Sequence, residues 1–141
     1  MVKYPLEFES ETKATEEEKR WETRLSDEEL DVSVPEEFGG EETAASPEQI
    51  FVAALENCVV ATFKTIAERK QLKFDSIESE SNAVLDRAED SRPMIEEAQI
   101  VVKVSGVENE DKADQVRQAA IKNCFIHRSV KTDIEEEFRW E

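Results

Sequence analysis

The sequence predicts an α+β fold in which a mostly antiparallel sheet is wrapped around one central helix. Three observations carry that expectation. The apolar pattern orders the chain as three strands, a helix, two strands, a helix and a strand, and such segregation of elements marks α+β folds. Residues 46–70 (SPEQIFVAALENCVVATFKTIAERK) read as a helix that is apolar on most of its sides, which places it centrally. Residues 95–107 (IEEAQIVVKVSGV) alternate cleanly, with Ala98, Ile100, Val102 and Val104 on one face, as a half-buried strand requires.

Residues 6–13 (LEFESETK) alternate and read as the first strand, with residues 14–19 (ATEEEK) as a turn. Residues 20–25 (RWETRL) and 29–34 (ELDVSV) follow as two more strands, the latter with Leu30, Val32 and Val34 sharing a face. Pro35, Gly39 and Gly40 then punctuate residues 35–45 as a loop. Ser46 is placed to cap the central helix, with Pro47 at its first position and Gln49 closing a capping box. The helix is predicted to run to about Lys70. Ile50, Phe51, Ala54, Leu55, Cys58, Val59, Thr62, Phe63 and Ile66 cover well over half of its circumference. Helical spacing puts Cys58 on a buried stripe with Ala54 and Leu55.

Residues 73–86 (KFDSIESESNAVLD) and 95–107 are predicted to pair antiparallel around the loop RAEDSRP. Residues 109–123 (NEDKADQVRQAAIKN) form a second helix with Val116, Ala119, Ala120 and Ile121 inward. After CFIHRSV (124–130) comes a last strand, TDIEEEFRW, whose Ile134, Phe138 and Trp140 point one way.

A length of 141 residues suits one domain, residues 1–141, and no internal repeat or linker interrupts it. Hydrophobic and charged residues each make up 38%, so a free monomer has a thin core. The 35 acidic against 18 basic residues leave a formal net charge of -17. A surface this negative repels phosphate backbones, so no nucleic-acid partner is expected. The apolar residues are periodic, which argues for a folded domain with a hydrated acidic shell rather than for disorder, and self-repulsion makes its stability salt-dependent. No stretch approaches the ~18 uninterrupted apolar residues of a membrane span, so no membrane partner is expected. The stretch MVKYPLEFESETK has no apolar signal core, and the expected location is cytoplasmic.

Few residues offer chemistry. There is one histidine, His127, and no Gly-rich phosphate loop. Metal binding could draw on Cys124-x-x-His127, joined by Cys58, but a single C-x-x-H is a weak signal because a zinc site needs three or four ligands at fixed geometry, so neither a metal nor a cofactor is expected. His127 reads as a surface or internally satisfied polar residue. The two cysteines, Cys58 and Cys124, remain. In a reducing compartment a structural disulfide is disfavoured, which leaves inert core filling or reactive thiols.

The segment SPEQIFVAALENCVVATFKTIAERK, followed by NCFIHRSV, resembles the osmotically inducible protein C and organic hydroperoxide resistance (OsmC/Ohr) family. In that family a Pro-Glu pair opens a central helix with a cysteine ten residues past the Glu, the spacing of Glu48 and Cys58. A second cysteine lies near the C-terminal helix, and Cys124 to Arg128 approximates its setting. DVSVPEEFGG matches the strand and Gly-Gly loop before the helix. The resemblance implies an OsmC-like intertwined homodimer with thiol-dependent peroxidase activity toward an organic hydroperoxide substrate. Cys58 would attack the peroxide and become a sulfenic acid, Cys124 would resolve it as a disulfide, and an external dithiol reductant would reset the pair. It also implies an arginine from the N-terminal strands, held by Glu48, that lowers the pKa of the attacking thiol.

The sequence departs from the family pattern at two places. An ungapped count back from Phe38 puts Glu17 near the arginine position; Lys19, Arg20 and Arg24 are the nearby cations, and Arg20 is taken for the role. Phe125 stands where a proline usually follows the second cysteine. Ten helical residues span ~15 Å, so Glu48 cannot touch Cys58 within one straight helix; it acts through a side chain from elsewhere, or serves as a first-turn acid on the helix dipole. Glu56 is expected on the other side of the helix, at an interface or in solvent. The rival class is a non-enzymatic OsmC-like dimer that binds small hydrophobic molecules with thiols that never turn over. A chaperone-like acidic surface has no specific support.

Overall fold

The computed structural model describes residues 2–141. The chain divides into two compact units, one up to Phe51 and one from Val52 onward. The first unit holds three short strands, β1 (Glu11–Lys13), β2 (Trp21–Leu25) and β3 (Glu28–Val32), paired antiparallel in sequence order. The predicted first strand is therefore shorter than its alternation. Residues 6–10 lie outside any strand, and Leu6 and Phe8 are exposed, so no apolar face fixes them in a register. β2 and β3 meet with Leu25 opposite Glu28, and Ser26 in the two-residue turn takes a φ of 56°.

After β3 the chain turns through a single 3-10 turn, Glu36–Phe38, and the two glycines make the return possible. Gly39 has a φ of 92°, which a side chain opposes. A Cβ on Gly40 would lie 1.7 Å from the Val34 carbonyl oxygen. The loop then lets Ala45 bridge Val32, with Ser33 N–H donating to Ala45 O at 2.9 Å. Gly40→Ala is expected to lower stability by about 1–3 kcal/mol, because backbone must move to admit the methyl group. Urea unfolding compares it with a surface Ala control, and equal midpoints would refute the packing argument.

Helix α1 (Pro47–Arg69) begins as its capping box predicts. Ser46 N–H donates to Gln49 Oε1 at 2.9 Å, and Gln49 N–H donates to Ser46 Oγ at 3.1 Å. By length and composition α1 is apolar enough to cross a membrane. Its buried stripe, however, is Leu55, Val59, Phe63 and Ala67, and these pack within the chain. Phe63 lies with its ring centroid 5.9 Å from Phe74, 5.4 Å from Phe138 and 6.1 Å from Trp140.

The second unit adds a sheet of β4 (Ser76–Arg87), β5 (Pro93–Ser105) and β6 (Asp133–Trp140), in that order. β4 and β5 are the predicted antiparallel pair, whereas β6 runs parallel to β5. A parallel neighbour needs a crossover, and α2 (Glu110–Lys122) with the single-turn α3 (Phe125–Arg128) supplies it. Ala98, Ile100, Val102 and Val104 are buried on the inner face of β5, and Ala113, Val116 and Ala120 on α2. Asn109 caps α2, accepting from Lys112 N–H at 3.0 Å. Three of the four strand pairings among the described residues are antiparallel, as the sequence predicts.

Glu56 requires a correction. It does not face solvent: its carboxylate accepts from the Ser79 and Ser81 hydroxyls on β4. Those serines occupy inward positions of β4, alternating with exposed Glu78, Glu80 and Asn82. An acid on the far side of the helix thus meets a polar strip of strand rather than water.

Candidate functional site

The chemistry gathers in the second unit, where α1, the start of α3 and β6 come together. Both cysteines are free thiols. Cys58 is half-buried on α1, one position off the fully buried Val59, rather than sealed in the core stripe. Cys124 is fully buried where α2 has ended and α3 begins. Its thiol donates to Ala120 O at 3.0 Å and lies 4.0 Å from Thr62 Oγ1, one turn along α1 from Cys58.

Burial pushes the Cys124 thiol up to about 12; the charge of Cys58, a hydrogen bond with it and the charge of Glu136 act in the same direction, and only the Thr62 hydroxyl opposes them. Cys124 is therefore a protonated thiol at neutral pH. The environment is asymmetric: one cysteine is only half-buried, and the other is sealed and protonated.

His127, on α3, is the internally satisfied polar residue of the sequence reading. Its Nδ1 lies 2.7 Å from Glu136 Oε1 and its Nε2 lies 3.0 Å from the Leu55 carbonyl oxygen of α1. The two side chains are only 10% and 9% exposed. Burial disfavours the charged ring, but the bonds to Glu136 and to the Leu55 carbonyl, with the Glu136 charge, outweigh it and raise the His127 pKa. Glu136 was missed by sequence reasoning. The signal was present: the period of two puts it on the inner face of β6 between Ile134 and Phe138, and an acid among inward apolar positions needs a partner. No group of three or more potential metal ligands occurs among the described residues.

The other two predicted site residues lie in the first unit. Arg20, just ahead of β2, is held by three acceptors: its Nε donates to Glu41 Oε2 at 2.6 Å, one terminal nitrogen to Asp31 Oδ2 at 3.1 Å, and the other to Thr43 Oγ1 at 2.7 Å. Glu41 N–H in turn donates to the buried Ser33 hydroxyl at 3.0 Å. The Gly39-Gly40 turn thus sets the carboxylate that orients Arg20. Two carboxylates on one guanidinium leave the cluster net negative, and three of the five donors are occupied. Arg24 pairs with Glu11 on an exposed strand face. Glu48 sits in the first turn of α1. Its Oε1 is buried with no hydrogen-bond partner among the described residues.

Residues 39–138 match a family model described as OsmC-like protein. No curated protein matches the sequence. Among solved structures, an OsmC-like protein of unknown function from Vibrio cholerae superposes with a TM-score of 0.84 at 18% identity, covering 95% of this chain and 99% of that one. An organic hydroperoxide resistance protein from Elizabethkingia anophelis gives a TM-score of 0.75 at 15% identity, with 99% of both chains covered. The organic hydroperoxide resistance protein OsmC of Legionella pneumophila gives 0.69 at 16% identity, again with 99% of both covered. At these identities the likeness to the solved structures is one of fold.

Proposed function

The chain belongs to the OsmC-like protein family, and from that premise we propose that it is a thiol-dependent peroxidase of organic hydroperoxides that works through Cys58 and Cys124. The observation that carries the reading is the pairing of a half-buried thiol with a sealed, protonated one that interacts with it. Cys58 is the sulfur a peroxide can reach. Its thiolate attacks one peroxide oxygen, the O–O bond breaks, the alcohol leaves with a proton, and a sulfenic acid remains. Oxidation removes the Cys58 charge, and with it one of the causes that hold Cys124 protonated. The Cys124 thiolate then displaces hydroxide as water, forming a disulfide that an external dithiol reduces by exchange. Ala54 and Ala61, exposed on α1 one turn either side of Cys58, offer hydrocarbon, which favours bulky apolar hydroperoxides over hydrogen peroxide.

The working form is proposed as an intertwined homodimer of single OsmC-like domains spanning residues 1–141. The incompletely covered apolar surface of α1, where Ala53, Ala54 and Ala61 are exposed, supports a second subunit. So does the partnerless buried oxygen of Glu48, which needs a donor. Arg20 is proposed as the cation that favours the Cys58 thiolate, acting through the donors that Asp31, Glu41 and Thr43 leave free. The protein is proposed to act in the cytoplasm.

The over-compensated charge on Arg20 is the observation that favours a second reading, a non-enzymatic dimer that binds small hydrophobic molecules. Stopped-flow consumption of tert-butyl hydroperoxide by the reduced protein separates the two. Cys58→Ser is expected to lower the rate by at least ~10³-fold, since no other described group supplies a nucleophilic sulfur in reach. Equally slow consumption by wild type and Cys58→Ser would refute the peroxidase and leave the binding module.

A further inference from the structure

We infer that His127 stands in the folded chain as an imidazolium that clamps α3 to α1 and β6, and that by setting its charge against Glu136 it is a positioning residue for the Cys58–Cys124 pair. The clause on the thiols rests on the peroxidase reading above; the protonation state and the clamp do not.

The hydrogen bonds decide the protonation. The Leu55 carbonyl oxygen can only accept, so Nε2 carries a hydrogen at 3.0 Å from it. Nδ1 faces a Glu136 oxygen at 2.7 Å, and an ionised carboxylate also only accepts, so Nδ1 carries the second hydrogen. A buried ion pair persists only when its remaining donors are satisfied, and the Leu55 carbonyl satisfies the one Glu136 leaves. The raised pKa of His127 has the same cause.

The position gives the pair its consequence. His127 follows Cys124 by three residues, and Leu55 precedes Cys58 by three. One ring therefore joins the backbone of the Cys58 helix to the short helix that Cys124 opens, and both to β6. The groups facing the ring are the Leu55 carbonyl from α1 and Glu136 from β6; on its own segment the neighbours are Cys124 and the exposed Arg128. Burial is the main cause that holds the Cys124 thiol protonated, and the Glu136 charge adds to it. The imidazolium offsets this charge. Without it, Glu136 stands alone beside the resolving thiol, and disulfide closure slows.

Two measurements test this. His127 is the only histidine, so ¹⁵N-labelled protein gives one pair of ring-nitrogen resonances. Both nitrogens are expected to be protonated at neutral pH and to titrate above the ordinary value of 6.5. A neutral tautomer at neutral pH overturns the inference. Because the folded ring holds its proton above the ordinary value, its contribution to stability is complete below pH 6.5 and is lost as pH rises through the folded value.

The second measurement is closure of the Cys58–Cys124 disulfide by diamide, in which two thiols lose two electrons and two protons and the diazene becomes a hydrazine. No hydroperoxide is involved, so failure here is separable from failure of the peroxidase. His127→Gln is expected to slow closure about tenfold, the effect of a one-unit rise in the Cys124 pKa on its thiolate fraction. Glu136→Gln is expected to match or exceed the wild-type rate, and the double variant to recover to within about threefold of it. A purely structural role would slow closure in both single variants alike, and that result overturns the positioning role.

Discussion

Reduced protein carrying Cys124→Ser is expected to consume about one equivalent of organic hydroperoxide per Cys58 and then to accumulate a sulfenic acid that a dimedone-type probe traps. Wild type treated identically should yield an intramolecular disulfide and little probe adduct, both read by mass spectrometry of intact protein. The substitution is close to isosteric, and a serine hydroxyl can keep the bond that the Cys124 thiol donates to Ala120 O, so the fold should survive it. The order of events follows from burial: Cys124 is sealed and its pKa is held up to about 12, whereas Cys58 is only half-buried. Wild-type closure should also accelerate as pH rises toward that raised value, because the attacking species is the thiolate. Wild type that ends as a stable sulfenic acid, with no disulfide, would remove Cys124 from the mechanism.

Phe63→Ala is expected to cost about 3–5 kcal/mol of stability, the largest loss anticipated from any single substitution in this chain. Phe63 is fully buried. Its ring meets Phe74 just ahead of β4, and Phe138 and Trp140 on β6. Truncation leaves a cavity that three stiff rings cannot collapse into. Urea unfolding at matched protein concentration measures it, with Phe63→Leu as a volume-retaining control expected to lose less than half as much. Concentration must be matched because self-association would add to the apparent stability. A change below about 1 kcal/mol would mean that the aromatic cluster is not the centre of the unit.

Much of the fold was legible because local rules decided it. The capping box at Ser46 and Gln49 uses hydrogen bonds between residues three apart, and α1 starts there. The alternation of Ala98, Ile100, Val102 and Val104 survives intact as the inner face of β5. Gly39 and Gly40 mark a loop, and the loop needs both, one for its φ and one for its missing Cβ. Cys58 and Cys124 stand out because they are the only thiols in the chain.

Alternation misled at residues 6–13, where a period of two has no partner strand to hold most of it and only Glu11–Lys13 pairs. The parallel pairing of β6 with β5 was not readable, because strand direction depends on where α2 and α3 return the chain. Glu56 was expected at an interface or in solvent because the polar strip that receives it, Ser79 and Ser81, lies more than twenty residues away.

The sequence by itself determined where the helices and most strands lie, that the shell is acidic with a net charge of -17, and that two cysteines are the chemical resource. These are properties of composition and of spacing within a few residues, which backbone geometry converts directly into faces. Only the tertiary structure decided that the charge of one thiol bears on the other, that one is sealed and the other half-buried, and that His127 is bonded to Glu136 and to the Leu55 carbonyl. Those facts come from desolvation and from groups brought together across 66 positions for the thiols, 72 for the His127–Leu55 bond and nine, through a change of element, for the His127–Glu136 bond. The period of two marks Glu136 as inward, but which partner it meets is set by packing and not by any local period.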